Sequence, residues 1–308
     1  GKTADLDRTS NRTRSRCRGG YLRFPSLCKQ SGKTRHSCLS IRKRVVKLAR
    51  TGAVGRWLFA LLSLVVVMAS AQGHLVVFDF DHTMIGCNSD TWVVEKLSKH
   101  KEQILGQLTR AGEKNAWTAG MDEAMAALHD EGVTVHDIRE CMEAISIDQG
   151  IKDAIKRFSS RGSDVRVLSD ANTLFIDWII QANGLGDSVS KILSNPAHVQ
   201  SNGQVRVRPF HTDPHHPSSS SPPNLCKGRV MDEWLDQGTW DKVVYCGDGG
   251  GDFEGCIRVP AGGVILARDG WTLHKKLLNA TEAGNPPFAT IQPWTDQQDL
   301  GRHLDALW

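Results

Sequence analysis

Four short, strongly apolar segments do most to constrain the fold of this 308-residue chain. They span residues 75–78, 165–168, 243–246 and 263–266, and each is followed by polar residues or glycine. Segments with helical periodicity separate them. Alternating buried strands and helices are typical of an α/β protein whose parallel sheet carries helices on both faces. We therefore predict a Rossmann-like sheet that binds its ligand at the carboxyl ends of the strands.

The segment between the first two apolar runs is too long for one crossover helix. Helical periodicity recurs within it, at residues 92–97, 121–128 and 138–145. We expect residues 90–160 to form a small helical cap over the active site, inserted after the first core strand, with residues 68–89 and 161–308 as the core. Additional crossover helices are the alternative. Asn202-Gly203, between Val199 and Val205, predicts a hairpin.

The charge is divided unevenly along the chain. Residues 1–56 contain 16 Lys and Arg but only two acidic residues, whereas the rest contains 22 basic and 32 acidic residues. This basic segment has no apolar periodicity, so we expect it to be disordered. Residues 58–69 form an apolar run that matches the parts of a secretory signal. We do not interpret uncharged residues 57–78 as a membrane span, because residues 75–78 are needed as a strand.

The role of residues 1–67 is open at this point. The first methionine is Met68, which favours a gene-model extension ahead of the true start. The alternatives are that residues 1–67 are an organelle transit segment or a secretory signal. The body contains five irregularly spaced cysteines, which favours a reduced compartment. We expect a cytoplasmic location, or an organelle or secretory one if residues 1–67 are genuine. We expect no nucleic-acid partner and no stable membrane span.

Two carboxylates follow the first apolar run. Asp79 and Asp81 are two residues apart at a strand end, so both side chains project to one side of the sheet. Two neighbouring anions need a compensating charge, which Mg²⁺ supplies through carboxylate and carbonyl ligands. The motif D-x-D-x-T is by itself a modest signal.

Further polar residues follow the other predicted strands. Ser169 and Asp170 follow the second run, Lys227 precedes a helix, and Asp248 and Asp252 form a G-D-x-x-x-D loop after the third run. An Asp pair, a Ser, a Lys and an acidic loop in this order resemble the signature of the haloacid dehalogenase-like phosphohydrolases.

A narrower resemblance covers residues 75–308. It rests on six motifs: Asp79–Thr83, Asn88–Asp90, Ser169–Asn172, Ile192–Pro196, Pro209–His211 and Pro223–Gly228. Together they are similar to the phosphoethanolamine/phosphocholine phosphatase family, which also includes pyridoxal phosphate phosphatases.

The resemblance implies how catalysis would proceed. Asp79 would be the nucleophile that forms an aspartyl-phosphate, and Asp81 the general acid and base. The Asp79 carboxylate, the backbone carbonyl of Asp81 and Asp248 would hold Mg²⁺. Asp252 would be a further ligand or a supporting residue.

The resemblance also implies binding residues. Ser169 and Lys227 would bind the phosphoryl oxygens. Asp90 and Asp170 match family positions that contact substrate, and two more carboxylates suit a cationic leaving group such as ethanolamine or choline. Their alternative role is to support or cap neighbouring residues.

These residues predict a Mg²⁺-dependent phosphomonoesterase that acts on a small phosphorylated metabolite. The candidates are phosphoethanolamine, phosphocholine and pyridoxal phosphate, with thiamine monophosphate or pyrophosphate as the alternative. A non-catalytic metabolite-binding protein is a further hypothesis, against which the complete set of site residues argues.

Several residues have two interpretations. Trp92 and Trp117 either line a pocket in the cap or belong to its core. His82 either tunes the pKa of the neighbouring acid or faces solvent from a loop. A low-complexity loop at residues 212–223 separates His211 from Cys226; these two residues, with His215 and His216, could bind zinc, but their spacing is not a standard one.

Overall fold

The computed structural model describes residues 73–216 and 219–307. The predictions for residues 1–67 and for the apolar run at 58–69 lie outside the described residues. The strands are β1 Leu75–Phe78, β2 Asp164–Asn172, β3 Lys191–Asn195, β4 Ala197–Val199, β5 Val205–Val207, β6 Val243–Gly247, β7 Val264–Arg268 and β8 Thr290–Trp294. The helices are α1 Ser89–Leu97, α2 Lys101–Glu113, α3 Trp117–Asp130, α4 Val135–Glu143, α5 Gln149–Ser160, α6 Thr173–Ala182, α7 Lys227–Asp236, α8 Phe253–Cys256, α9 Thr272–Glu282 and α10 Gln297–Asp305.

Six parallel strands form the central sheet, in the order β3-β2-β1-β6-β7-β8. The predicted parallel sheet is confirmed, and the four apolar runs are its inner strands β2, β1, β6 and β7. The edge strands β3 and β8 were not predicted. The predicted hairpin is also confirmed, because β4 and β5 pair in antiparallel register.

Helices cover both faces of the sheet, as predicted. Alternate side chains of β1 belong to different cores: Val76 and Phe78 pack in the core that contains residues of α5, α6 and α10. Leu75 and Val77 pack in the core that contains residues of α7 and α9. This alternation follows from the pleat of a strand buried on both sides.

The helices between β1 and β2 pack in two ways. Helices α1, α2 and α3 pack on one another, and α4 packs on α1 and α6. Helix α5 packs against β2 and α10, so it is a crossover helix of the sheet. The chain segments before α1 and after α4 pair at a single bridge between Ile85 and Ile147. Helices α1–α4 make their main contacts with one another, with α6 and with β5. A cap spanning residues 90–160 stays a prediction.

An ion-pair cluster joins α3 to β5. Both carboxylate oxygens of Asp122 accept hydrogen bonds from Arg206, at 2.8 and 2.6 Å, and Arg208 donates to one of them at 2.6 Å. The backbone N–H of Val207 adds a bond of 2.9 Å. Desolvation alone would raise the pKa of Asp122, but these donors lower it well below its usual range. We call these four residues the clasp.

The described residues also bear on membranes and disulfides. In residues 73–216 and 219–307, no helix combines the length and the hydrophobicity that a membrane crossing requires. The free thiols there are Cys87, Cys141, Cys226, Cys246 and Cys256. The cytoplasmic location stays a prediction.

Candidate active site

The chain turns sharply after β1. Asp79 is 7% exposed at the end of the strand, and His82, within the helical turn at residues 80–84, has a left-handed φ of 57°. Arg268 donates to the carbonyl oxygen of His82 at 2.9 Å. One carboxylate oxygen of Asp81 accepts the backbone N–H of Ser89 at 3.0 Å. The turn therefore fixes the second carboxylate close to the first.

Lys227 begins α7 and is almost completely buried. Its Nζ donates to Asp79 at 2.7 Å and to Asp252 at 2.8 Å. One oxygen of Asp170 lies 3.8 Å from the same nitrogen. Burial alone would lower the pKa of Lys227, but Asp252 and Asp79 raise it well above its ordinary value. The lysine is thus a fixed cation at the strand ends.

Three carboxylates form a cluster around this lysine. Oxygens of Asp79, Asp248 and Asp252 lie within 4.8 Å of one another, the only such potential ligand group found among the described residues. Burial and neighbouring carboxylates raise the pKa of Asp79 to about 7 and those of Asp248 and Asp252 to about 6. The three carboxylates offer hard oxygen donors, and together they carry more negative charge than one lysine offsets. Such a group suits a divalent cation such as Mg²⁺.

Two residues outside the predicted set hold these carboxylates. Thr83, part of the D-x-D-x-T motif, donates to Asp248 at 3.0 Å. Tyr245, in β6, donates to the same Asp252 oxygen that Lys227 contacts, at 2.9 Å. The other Asp252 oxygen accepts the N–H of Gly249. The motif could have indicated Thr83, whereas Tyr245 looks in the sequence like an ordinary strand residue.

Residues near the end of β2 also belong to the site. Ser169 is 2% exposed, and its Oγ accepts the N–H of Ala171 at 3.2 Å. Asp170 accepts a hydrogen bond from the side-chain amide of Asn224 at 2.9 Å. The structure brings all eight predicted site residues to one cavity of about 170 Å³: Asp79, Asp81, Asp90, Ser169, Asp170, Lys227, Asp248 and Asp252.

Asp90 of α1 and Trp117 of α3 also line this cavity. Asp90 is 3% exposed, and one of its oxygens accepts the indole N–H of Trp117 at 2.7 Å. The other oxygen is buried without a hydrogen-bond partner among the described residues. Burial is the main reason that the pKa of Asp90 rises to about 6. Trp117 and His82 line the cavity, whereas Trp92 packs against the apolar core with Lys96 over its ring.

The histidine loop does not assemble a metal site in the part of the chain that the structure describes. The backbone N–H of Cys226 donates to Nδ1 of His211 at 3.1 Å, and the rings of His211 and His215 lie 5.1 Å apart. The ligand atoms of these residues do not meet the geometry that the acidic cluster meets. Zinc binding at the loop thus gains no support.

This fold and this set of strand-end residues define a haloacid dehalogenase-like phosphatase. The sequence profile of the family described as "Putative Phosphatase" matches residues 74–308, and the chain belongs to that family.

Curated relatives support this assignment and differ in the substrates that they are named for. The chain is 34% identical to the inorganic pyrophosphatase 2 of Arabidopsis thaliana, over 77% of this chain and 84% of the relative. It is 34% identical to a thiamine phosphate phosphatase-like protein of Arabidopsis thaliana, over 76% and 94%. It is 33% identical to the pyridoxal phosphate phosphatase PHOSPHO2 of Homo sapiens, over 76% and 98%. The reaction class is therefore phosphatase, and the relatives do not agree on one substrate.

Proposed function

We propose that this phosphatase is a Mg²⁺-dependent phosphomonoesterase that hydrolyses a small phosphorylated metabolite through an aspartyl-phosphate. One observation carries the proposal: the eight residues predicted from the strand ends line a single cavity of about 170 Å³. A cavity of this size has room for a phosphoryl group.

Asp79 is the nucleophile in this proposal. One of its oxygens forms a bond to phosphorus while the ester P–O bond breaks, and water then cleaves the aspartyl-phosphate to release phosphate. Lys227 holds the carboxylate at 2.7 Å and places positive charge beside the phosphoryl oxygens. Ser169, buried at the end of β2, supplies the hydroxyl that binds another phosphoryl oxygen.

Asp81 is the general acid and base. Desolvation and the nearby Asp90 carboxylate raise the pKa of Asp81 well above its ordinary value, which favours a protonated acid near neutral pH. The acid protonates the departing alcohol oxygen and later accepts a proton from the attacking water. The bond from the N–H of Ser89 fixes one carboxylate oxygen during both steps.

The carboxylates of Asp79 and Asp248 and the backbone carbonyl of Asp81 would hold the metal ion. A bound Mg²⁺ supplies positive charge that offsets the negative charge of the phosphoryl group and the carboxylates. Thr83 orients Asp248 toward the cluster. Asp252 is either a further ligand or, through its bond with Lys227, a support for that lysine.

The leaving group meets Asp90 and Asp170. Both carboxylates line the cavity but lie outside the acidic cluster, and they favour an amine-bearing or quaternary leaving group. Phosphoethanolamine, phosphocholine and pyridoxal phosphate are the leading candidates. The names of the two plant relatives favour thiamine monophosphate or pyrophosphate as second candidates. The cap helices, which carry Asp90 and Trp117, would select among them.

The test is phosphate release by the full chain with these five substrates, with and without Mg²⁺. We expect Mg²⁺-dependent turnover that Asp79→Asn abolishes and that the exposed control Asp130→Asn retains. No release from any of the five by the folded protein, or undiminished release by Asp79→Asn, would contradict the proposal.

A further inference from the structure

The end of β7 is the one inner strand end to which the sequence assigns no site residue. The inner strands β1, β2 and β6 supply predicted site residues at or just after their carboxyl ends. Strand β7 ends at Arg268, and the lining of the cavity of about 170 Å³ does not include this residue. The contacts of Arg268 with the other parts of the site indicate what a cation does at this edge of the sheet.

Arg268 reaches the turn that follows β1. Its Nη1 donates to the backbone carbonyl oxygen of His82 at 2.9 Å, across 186 residues of chain. The side-chain amide of Gln297, which begins α10, donates to the same oxygen at 3.4 Å. The same amide donates to the carbonyl oxygen of Ile85 at 3.3 Å. Two side chains from the C-terminal part of the chain therefore hold the backbone of this turn.

The backbone conformation of His82 depends on contacts of this kind. Its φ is 57°, and Asn115 is the only other non-glycine residue with a positive φ in residues 73–216 and 219–307. Non-glycine residues seldom adopt this conformation, and they keep it where the surrounding structure fixes it. The N–H of His82 donates to the carbonyl oxygen of Cys87 at 3.0 Å. Arg268 makes the shorter of the two hydrogen bonds to the carbonyl oxygen of His82, so it fixes the other side of the residue.

Aromatic rings hold the guanidinium of Arg268 in place. The guanidinium carbon lies 4.2 Å from the ring centroid of Trp271 and 5.2 Å from that of Trp294. Trp294 is fully buried, and the ring of Trp271 also contacts the ring of His82, with 5.1 Å between their centroids. Stacking on aromatic rings restricts an arginine side chain and leaves its N–H groups free to donate. The donor that holds the turn is thus itself fixed before substrate binds.

We propose that Arg268 is a positioning residue for Asp81, the residue directly before His82. The N–H of Ser89 fixes one carboxylate oxygen of Asp81, and Arg268 fixes the backbone of the residue that follows it. Without Arg268 the backbone of His82 relaxes, and the carboxylate of Asp81 moves away from the oxygen that it protonates. A small displacement of a catalytic group is enough to slow a reaction strongly. This inference rests on the proposed phosphomonoesterase activity and adds a residue that acts through its acid.

The test compares two aryl phosphates that differ in their need for an acid. Because p-nitrophenol is a much stronger acid than phenol, its anion leaves without a proton, whereas phenol leaves faster when Asp81 protonates it. The readout is kcat/KM for phenyl phosphate divided by kcat/KM for p-nitrophenyl phosphate, measured with the full chain. We expect Arg268→Met to lower this ratio about ten- to a hundredfold, part of the value of a general acid. Arg268→Lys keeps one donor and should lower the ratio less.

Lys276→Met is the matched control. Nζ of Lys276 donates to the carbonyl oxygen of Gly250 at 3.0 Å, so it holds the acidic loop as Arg268 holds the turn. It should change both values of kcat/KM equally and keep the wild-type ratio. Asp81→Asn gives the full effect, and adding Arg268→Met to it should lower kcat/KM for phenyl phosphate no further, because the acid is already absent. This last comparison also serves for a metabolite ester if the enzyme rejects both aryl esters.

Hydrogen exchange separates this inference from the proposed activity. The backbone amides of residues 80–87 should exchange about tenfold faster or more in Arg268→Met, and those of residues 248–252 only in Lys276→Met. Unchanged exchange at residues 164–168 in β2 shows that the variants are folded. If the wild type hydrolyses no ester, the proposed activity fails, and faster exchange at residues 80–87 still shows that Arg268 holds the turn. An unchanged ratio, an equal loss for both esters, a further loss in the double variant or unchanged exchange at residues 80–87 would overturn the inference.

Discussion

The acidic cluster at the sheet edge and the clasp between α3 and β5 use aspartate in opposite ways. In the cluster, Asp79 is 7% exposed and its pKa rises to about 7, because burial and Asp248 outweigh the attraction of Lys227. In the clasp, two arginines and a backbone N–H hold Asp122, and its pKa falls below the usual range. In the clasp one carboxylate faces two arginines, whereas three carboxylates of the cluster share one lysine.

This difference predicts that the cluster serves the reaction and that the clasp serves the stability of the fold. A carboxylate whose pKa is raised by folding lowers the stability of the charged folded state, and one whose pKa is lowered adds to it. The cluster therefore costs free energy of folding and is explained by the reaction, whereas the clasp contributes free energy of folding and positions α3. Substitutions at the two places should separate activity from stability.

The largest effect on activity is expected at the nucleophile. Asp79→Asn should lower phosphate release by about a thousandfold or more, because no other group can form the acyl-phosphate. The free energy of unfolding should stay the same or rise, because a buried charge is removed while Lys227 keeps its contact with Asp252. Activity assays and urea denaturation of the same preparation measure both. A large loss of stability would show that Asp79 also has a structural role.

Lys227→Met should lower both activity and stability. Phosphate release should fall about a hundredfold or more, because the fixed cation at the phosphoryl oxygens is lost. The free energy of unfolding should fall by about 3–5 kcal/mol, because buried carboxylates lose their cation. The exposed control Lys156→Met should change neither quantity. Equal stability of the two variants in urea denaturation would contradict the compensation described for the cluster.

Asp122→Asn should mainly lower stability, by about 1.5–3 kcal/mol, the value of hydrogen bonds to a charged group. The folded-state pKa is lowered, so this stabilisation is present above the unfolded pKa of about 3.9 and is lost as the pH falls toward the folded pKa. The difference in unfolding free energy between wild type and Asp122→Asn should thus shrink below about pH 4. Asp130→Asn, exposed on the same helix, serves as the control. A difference independent of pH would argue against an ionic clasp.

The smallest effect is expected where the two regions meet, at the start of α3. Trp117→Phe removes the 2.7 Å hydrogen bond to Asp90 while keeping an aromatic ring. The value of kcat/KM for an amine-bearing ester should fall about five- to tenfold, because Asp90 is no longer held in its ionised form. Trp92→Phe, in the core of the same helices, is the matched control and should have less effect in the same assay.

The sequence was sufficient to predict the inner sheet and the meeting of the site residues. The inner strands are continuous apolar runs, and the carboxyl ends of parallel strands share one edge of the sheet, so residues such as Asp79 and Ser169 must converge. The edge strands escaped prediction because they are only partly buried and contain residues such as Lys191, Ser194 and Pro293. The chemical roles of the site residues stay predictions.

Residues whose function depends on tertiary neighbours could not be identified from spacing. Tyr245 is indistinguishable in sequence from a core strand residue, although it holds Asp252. Asn224 is likewise unremarkable in the sequence, although its side-chain amide donates to Asp170 across 54 residues of chain. The periodicity of α5 matches that of helices α1–α4, and only its packing on β2 and α10 shows that it is a crossover helix of the sheet.

Helices α1–α4 are attached to the rest of the fold at several places. The segments that lead into and out of them pair at Ile85 and Ile147, α4 packs on α6, and Asp122 of α3 binds Arg206 of β5. These attachments lie far apart in the sequence, so a movement of the four helices as one body has to break more than one of them. The Asp122–Arg206 ion pair is the attachment that the loss of a single charge removes.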